Sequence, residues 1–142
     1  MQRIVLDTNV IVAGLQSRNG ASNRLLGLVP ERRFALLLSV PLFLEYEAVL
    51  KRPERQAVHG LSHERIDTVL AVWARFGVPV NLHYLWRPQL RDAGDEMVLE
   101  TAVNGRADGL LTFNVQDFKP AASRFGIELL TPAQWLAAWR PS

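Results

Sequence analysis

The chain has no cysteine. Disulfides, thiolate zinc sites and thiol nucleophiles are therefore excluded before any element is placed. Long apolar runs are also missing. Charges break each run well short of the ~20 residues that a bilayer-spanning helix needs, so no membrane span is expected. No Gly-rich phosphate loop occurs, because Gly105-Arg106-Ala107-Asp108-Gly109 lacks the Walker spacing. Internal repeats and low-complexity stretches are absent. Met1-Gln2-Arg3-Ile4-Val5 leads straight into a strand pattern with no secretory h-region, which predicts a cytoplasmic protein. Lysine is scarce: only Lys51 and Lys119 occur, and the other basic residues are arginine. Arginine suits bidentate phosphate contacts. The arginines are scattered, however, and a G+C-rich genome enriches Arg, Ala and Gly together. A formal net charge of +2 thus supports nucleic-acid binding only weakly.

What is present is apolar and regularly punctuated. Hydrophobic residues make up 49% of 142 positions, enough for one domain over 1–142 with a real core. Strand patterns fall at 2–6, 34–38, 78–82, 110–113 and 127–130. Helices are expected at 10–15 and 22–29, the latter capped by Ser22 and stopped by Pro30. Further helices are expected from Pro41 to about Lys51, from Ser62 to Phe76 with Gly77 closing, and over 95–104 with Gly105 closing. Thr131-Pro132-Ala133-Gln134 is a capping box that starts the last helix. This alternation predicts a three-layer α/β/α fold around a central, mostly parallel sheet of about five strands.

Four acidic clusters fall at the ends of these elements. Asp7 closes the first strand, Glu45 lies one turn into the helix at Pro41, Asp92 and Asp95 open the helix over 95–104, and Asp117 follows the strand over 110–113. In such folds ligands bind beyond the carboxyl ends of the strands. Carboxylates gathered there repel one another unless a cation neutralises them, so their convergence predicts a site for a hard divalent metal. Each acid also has a local structural explanation. Asp7 could cap the next helix, Glu45 and Glu47 could be solvated, Asp92 to Glu96 could form a capped turn, and Asp117 could stabilise a turn before Pro120. The joint pattern is what favours a site.

The ordered set of motifs resembles the PIN-domain family, in the prokaryotic branch of VapC-like toxin ribonucleases. Ile4-Val5-Leu6-Asp7-Thr8-Asn9-Val10 is similar to the opening motif, and Glu45 to Pro53 resembles the segment holding the second acid. Arg91 to Ala102 resembles the third, Ala107 to Phe118 the fourth, and Ile127 to Pro132 the closing strand and helix start. The resemblance implies a Mg²⁺- or Mn²⁺-dependent endoribonuclease, the toxin of a toxin–antitoxin pair. By position Asp7, Glu45 and Asp95 take the main acidic roles. Many relatives carry Asp where this chain has Asn114, and Asp117 could supply that charge instead. Asp7 and Asp95 would bind the metal directly, with Glu45 acting through water or orienting the nucleophile. Thr8 would position Asp7, and Asn9 and Asp92 would shape the loops around the site. Arg18, Arg24 and Arg91 are the basic candidates for the RNA backbone. The implied partners are the RNA substrate, a small antitoxin protein and a second copy of the chain in a homodimer. The helices at 10–15, 22–29, 41–50 and 61–76 could present that surface.

Two other readings stay open. A relative weakened by Asn114 would bind RNA or protein without cutting. Asp7-Thr8-Asn9-Val10 also faintly resembles haloacid dehalogenase phosphatases, but those need a second Asp where this chain has Asn9. His59 and His63 are four apart, yet Gly60 and Ser62 separate them, so both are expected to be ordinary surface histidines. Trp135 and Trp139 should share one helix face, serving the core or a dimer contact.

Overall fold

The structure, a computed structural model, describes residues 1–83, 90 and 92–140. Arg91 and the segment Tyr84-Leu85-Trp86 lie outside them. The chain order is β1 (Arg3–Leu6), α1 (Thr8–Gln16), α2 (Ala21–Gly27), β2 (Ala35–Leu38) and α3 (Val40–Leu50). It continues with α4 (Pro53–His59), α5 (His63–Phe76), β3 (Val78–Pro79), α6 (Ala93–Asn104) and β4 (Gly109–Leu111). The last elements are α7 (Val115–Phe125), β5 (Glu128–Leu130) and α8 (Pro132–Ala138).

The five strands form one sheet in the order β3-β2-β1-β4-β5, and every pairing is parallel. Ile4, Val5, Leu6, Leu36, Leu37, Leu110 and Leu111 are all buried, as expected for strands covered on both faces. Helices flank the sheet, giving the predicted α/β/α arrangement. The chain builds β2 and β3 on one side of β1 and then crosses to build β4 and β5 on the other. The order therefore reverses between β1 and β4, which makes their carboxyl ends the topological switch point.

Several local expectations need correction. The second helix begins at Ala21 with Gly20 as its N-cap, and Ser22 is buried inside it. The third strand stops at Pro79 instead of reaching Leu82. It lies at the sheet edge, where a residue lacking an N–H is tolerated but cannot extend the ladder. Helix α4 starts directly at Pro53, two residues past the expected end of the preceding helix, where no helix was expected. Pro suits a first helical position as well as it ends a helix. Helix α7 runs through Pro120, so Asp117 belongs to a helical first turn and not to an isolated turn. Burial of Phe118, Ala121 and Ala122 outweighs the ladder bond that Pro120 removes.

Two other capping signals hold. Ser62 accepts from Arg65 N, and the Thr131/Gln134 capping box is present. Trp135 is buried, meets Phe34 edge-on at 5.3 Å and stacks on Trp139 at 5.9 Å, so this pair closes one end of the core. His59 is half-buried rather than free at the surface. Its Nδ1 accepts from Leu61 N at 3.0 Å, which leaves Nε2 to donate to the Leu50 carbonyl at 3.0 Å. The helices suggested for a partner surface spend most of their apolar residues on the core. Val40 and Leu44 of α3 stay exposed at 73% and 52%.

Candidate metal centre at the sheet switch point

Asp7 follows β1 directly, and Thr112 follows β4 directly, so the switch point sets them side by side. The Asp7 N–H donates to the Leu111 carbonyl at 2.9 Å, continuing the ladder one residue past the strand. The buried Thr112 hydroxyl donates to Asp7 Oδ2 at 2.7 Å and accepts from Asn114 N at 2.9 Å. Asp7 occupies the N-cap position of α1, yet its side chain makes no capping hydrogen bond. The carboxylate is turned to Thr112 and to the backbone N–H of Thr8 instead. Asn9 approaches from the same turn, its Oδ1 3.5 Å from Phe113 N.

The other acids arrive from α3 and α6. Tyr46, fully buried, donates its hydroxyl to the Leu6 carbonyl and so clamps α3 to the end of β1 beside Asp7. Burial pushes its phenol up, which keeps it a donor. Glu45 precedes it. Asp92 is the N-cap of α6 and accepts from Gly94 N at 2.7 Å. The absent side chain of Gly94 matters here. A Cβ would fall 3.0 Å from Asp92 Oδ1 and 3.7 Å from Glu45 Oε1, so both carboxylates flank this glycine. Glu96, buried one position after Asp95, accepts from Leu90 N at 2.7 Å and ties down the approach to α6.

Asp7, Glu45, Asp92 and Asp95 line one cavity of about 340 Å³, together with Thr8, Asn9 and Asn114. Burial raises Asp7 above the ordinary carboxylate range, and the charges of Asp92 and Asp117 push the same way. Asp95 is pushed up to about 6, first by burial, then by Asp7, Asp92, Asp117 and Glu96. Asp117 itself is exposed and does not line the cavity, although its charge reaches both acids. Arg18 and Arg24 line a different hollow against α8. The sequence reading overlooked Thr112, Arg52, Arg55 and Gln16. Thr112 left a signal as the polar residue ending an apolar run. The arginines left none without α4.

Among the described residues, no three His, Cys, Asp or Glu side chains form a ready-made metal cage. Magnesium seldom needs one, because it keeps several waters and takes one or two carboxylates plus substrate phosphates. The groups in the cavity able to ligate a metal are oxygen atoms of Asp, Glu, Thr, Asn and Gln, and its acids carry mutual repulsion that a divalent cation would relieve. The donor set therefore fits Mg²⁺ or Mn²⁺. Thr112→Val keeps the volume but removes the hydroxyl that lowers the Asp7 pKa. The expected result is a Mn²⁺ affinity roughly tenfold lower, the scale of removing the hydrogen-bond partner of a ligating carboxylate, with the pH dependence of binding moved upward, as calorimetric titration would show.

The architecture defines the class first: an α/β/α domain with an oxygen-lined acidic pocket at its switch point. The model of the PIN domain matches residues 3–116, and the chain belongs to that family. PIN domains are generally nucleases, and they usually use divalent metals. Solved structures share the fold. One is VapBC2 from Rickettsia felis bound to a promoter DNA fragment, at 14% identity and a TM-score of 0.61, covering 91% of this chain and 98% of that one. FitAB bound to an IR36 DNA fragment gives 20% identity, a TM-score of 0.60, and 91% and 94% coverage. FitAcB from Neisseria gonorrhoeae gives 22% identity, a TM-score of 0.55, and 92% and 98% coverage. No curated protein matches the chain at a significant level.

Proposed function

We propose that the chain is a Mg²⁺- or Mn²⁺-dependent endoribonuclease that hydrolyses RNA phosphodiester bonds. In this reading it is the cytoplasmic toxin of a toxin–antitoxin pair, a homodimer restrained by a small antitoxin protein. The observation that carries the reading is the shared cavity of Asp7, Glu45, Asp92 and Asp95 at the switch point of a PIN domain. The FitAB and VapBC2 structures are complexes with DNA, which supports the toxin–antitoxin part by analogy of fold.

Asp7 and Asp95 would hold the cation, with Glu45 orienting the attacking water. Held by these residues, a divalent cation would supply Lewis-acid polarisation of the phosphoryl oxygen and a lowered pKa for a bound water. Thr112 and the Thr8 N–H fix the Asp7 carboxylate in one orientation, and Tyr46 fixes the backbone behind it. Asn9 joins the start of α1 to the loop after β4, and Asp92 fixes the first turn of α6. Asp117 adds negative potential from a distance. Arg18 and Arg24 would meet RNA only where the strand extends beyond the cavity toward α8.

Asn114 favours one second reading, a relative that binds RNA or protein without cutting, because it brings a neutral group to the cavity. Incubating purified protein with single-stranded RNA separates the two. Cleavage that needs Mg²⁺ or Mn²⁺ and stops with chelator is the expected outcome. Binding without cleavage at any metal concentration would establish the second reading.

A further inference from the structure

The acids occupy only one part of their cavity. Along α1 its lining continues from Asp7 and Thr8 through Val12 and Ala13 to Gln16, at the spacing of one helix face. Along α3 it continues from Glu45 to Val49, and beyond the end of α3 it takes in Arg52, the N-cap residue of α4, and Arg55 on α4. The cavity is therefore a groove between α1 and α3, with carboxylates toward one end and guanidinium groups toward the other. Arg52 lies seven residues beyond Glu45, just past the C-terminal end of α3.

Both arginines are exposed, and among the described residues neither makes an ion pair. Lys51, their neighbour, is committed elsewhere, to Glu47 at 3.1 Å and Asp67 at 2.6 Å. The turn that carries the arginines is held in place. Arg55 N and Gln56 N both donate to the Arg52 carbonyl at 3.0 Å, the Gln56 side chain donates to the Leu61 carbonyl at 3.2 Å, and His59 donates to the Leu50 carbonyl. Two unpaired guanidinium groups on a fixed turn, facing a groove that ends in carboxylates, suit a ligand with several phosphates in a row. The scissile phosphate would lie at the acids and its neighbours at the arginines.

We infer that Arg52 and Arg55 bind the phosphates flanking the scissile one, and so set a preference for a nucleic-acid strand over a small phosphodiester. This rests on the nuclease reading above and deepens it. The arginines touch phosphates that do not react, so they contribute binding that is equal in the ground and transition states. Losing them raises KM and leaves kcat unchanged.

The test uses Arg52→Gln, Arg55→Gln and the double variant, with Arg65→Gln on α5 as a surface control. Steady-state cleavage of a single-stranded RNA oligonucleotide is compared with hydrolysis of bis(p-nitrophenyl) phosphate, which has no flanking phosphate. Binding of the same RNA is measured by anisotropy across a salt series in the Asp7→Asn background, so that the strand is not consumed. For the double variant the expected KM for RNA rises roughly tenfold, a scale reduced by the exposure of the groups. Its kcat, and its rate on the small diester, stay at the wild-type level. The slope of log Kd against log salt falls by about 0.7 for each phosphate that no longer meets a guanidinium. Arg→Lys restores part of the binding. An unchanged KM and salt slope would overturn the assignment while leaving the nuclease reading intact. Equal losses on RNA and on the small diester would also overturn it, by showing a structural role. A wild-type protein that neither binds nor cuts RNA would remove the nuclease reading, and this inference with it.

Discussion

Asp7→Asn is expected to reduce RNA cleavage by at least about a thousandfold, equivalent to roughly 4 kcal/mol of transition-state stabilisation, while making the metal-free protein more stable at pH 7. The two effects have one cause. Asp7 is only 5% exposed and faces other carboxylates, so its charged form is disfavoured in the folded chain. Its folded pKa lies above the unfolded one, as does that of Asp95, which is pushed up to about 6. Protonation at these two sites therefore favours the folded state. That contribution is fully present below the unfolded values; the Asp95 part is lost as pH rises through about 6, and the Asp7 part as pH rises through its own raised pKa. At pH 7 the metal-free site holds unrelieved repulsion. The isosteric amide removes one charge and keeps a carbonyl to accept from Thr112. A melting temperature higher by roughly 2–4 °C is expected in chelator, the shift that about 1 kcal/mol gives in a domain of this size. Thermal melts with and without Mn²⁺ check it: the cation should stabilise the wild type and do little for the variant. A melting temperature lowered by the substitution in chelator would show that the carboxylate is structural.

The second large effect is on stability. Tyr46→Ala should destabilise the fold by about 3–5 kcal/mol, a large share of the 5–15 kcal/mol typical of a domain. Tyr46 is completely buried, packs edge-on against Trp73 at 6.3 Å, and donates to the Leu6 carbonyl. Truncation leaves a cavity between α3 and α5 and removes the clamp behind Asp7. Tyr46→Phe isolates the second part: the ring stays, the Leu6 carbonyl loses its donor, and about 1–2 kcal/mol is expected. Denaturant unfolding of both variants measures the difference. Equal losses would mean that the hydroxyl, not the packed ring, holds α3 in place.

Much of this was legible in the residues because each signal was local. The apolar runs at β1, β2 and β4, the Ser62 cap and the Thr131-Gln134 box depend on neighbours a few positions away, and the structure keeps them. Helices α4 and α7 were not legible. Proline gives the same signal at a helix start as at a stop, and α7 is held through Pro120 by burial of Phe118 and Ala122, which depends on tertiary packing. Topology led toward Asp7, Glu45, Asp92 and Asp95, since residues just past β1 and on the helices that follow strands come to one rim once the strands are parallel, but Asp117 does not line the same cavity. Thr112, Arg52 and Arg55 could not be read in this way. Their relation to Asp7 and Glu45 exists only after β4 lies beside β1 and α4 turns back along α1.

Asp7, Glu45, Asp92 and Asp95 are expected to form one cation site. A crystal of the wild-type protein soaked in Mn²⁺ and measured at the manganese absorption edge tests it most directly. An anomalous peak is expected in the cavity, within about 2.0–2.2 Å of oxygens from Asp7 and Asp95. Manganese found only elsewhere on the surface, with that cavity empty at saturating concentration, would contradict it.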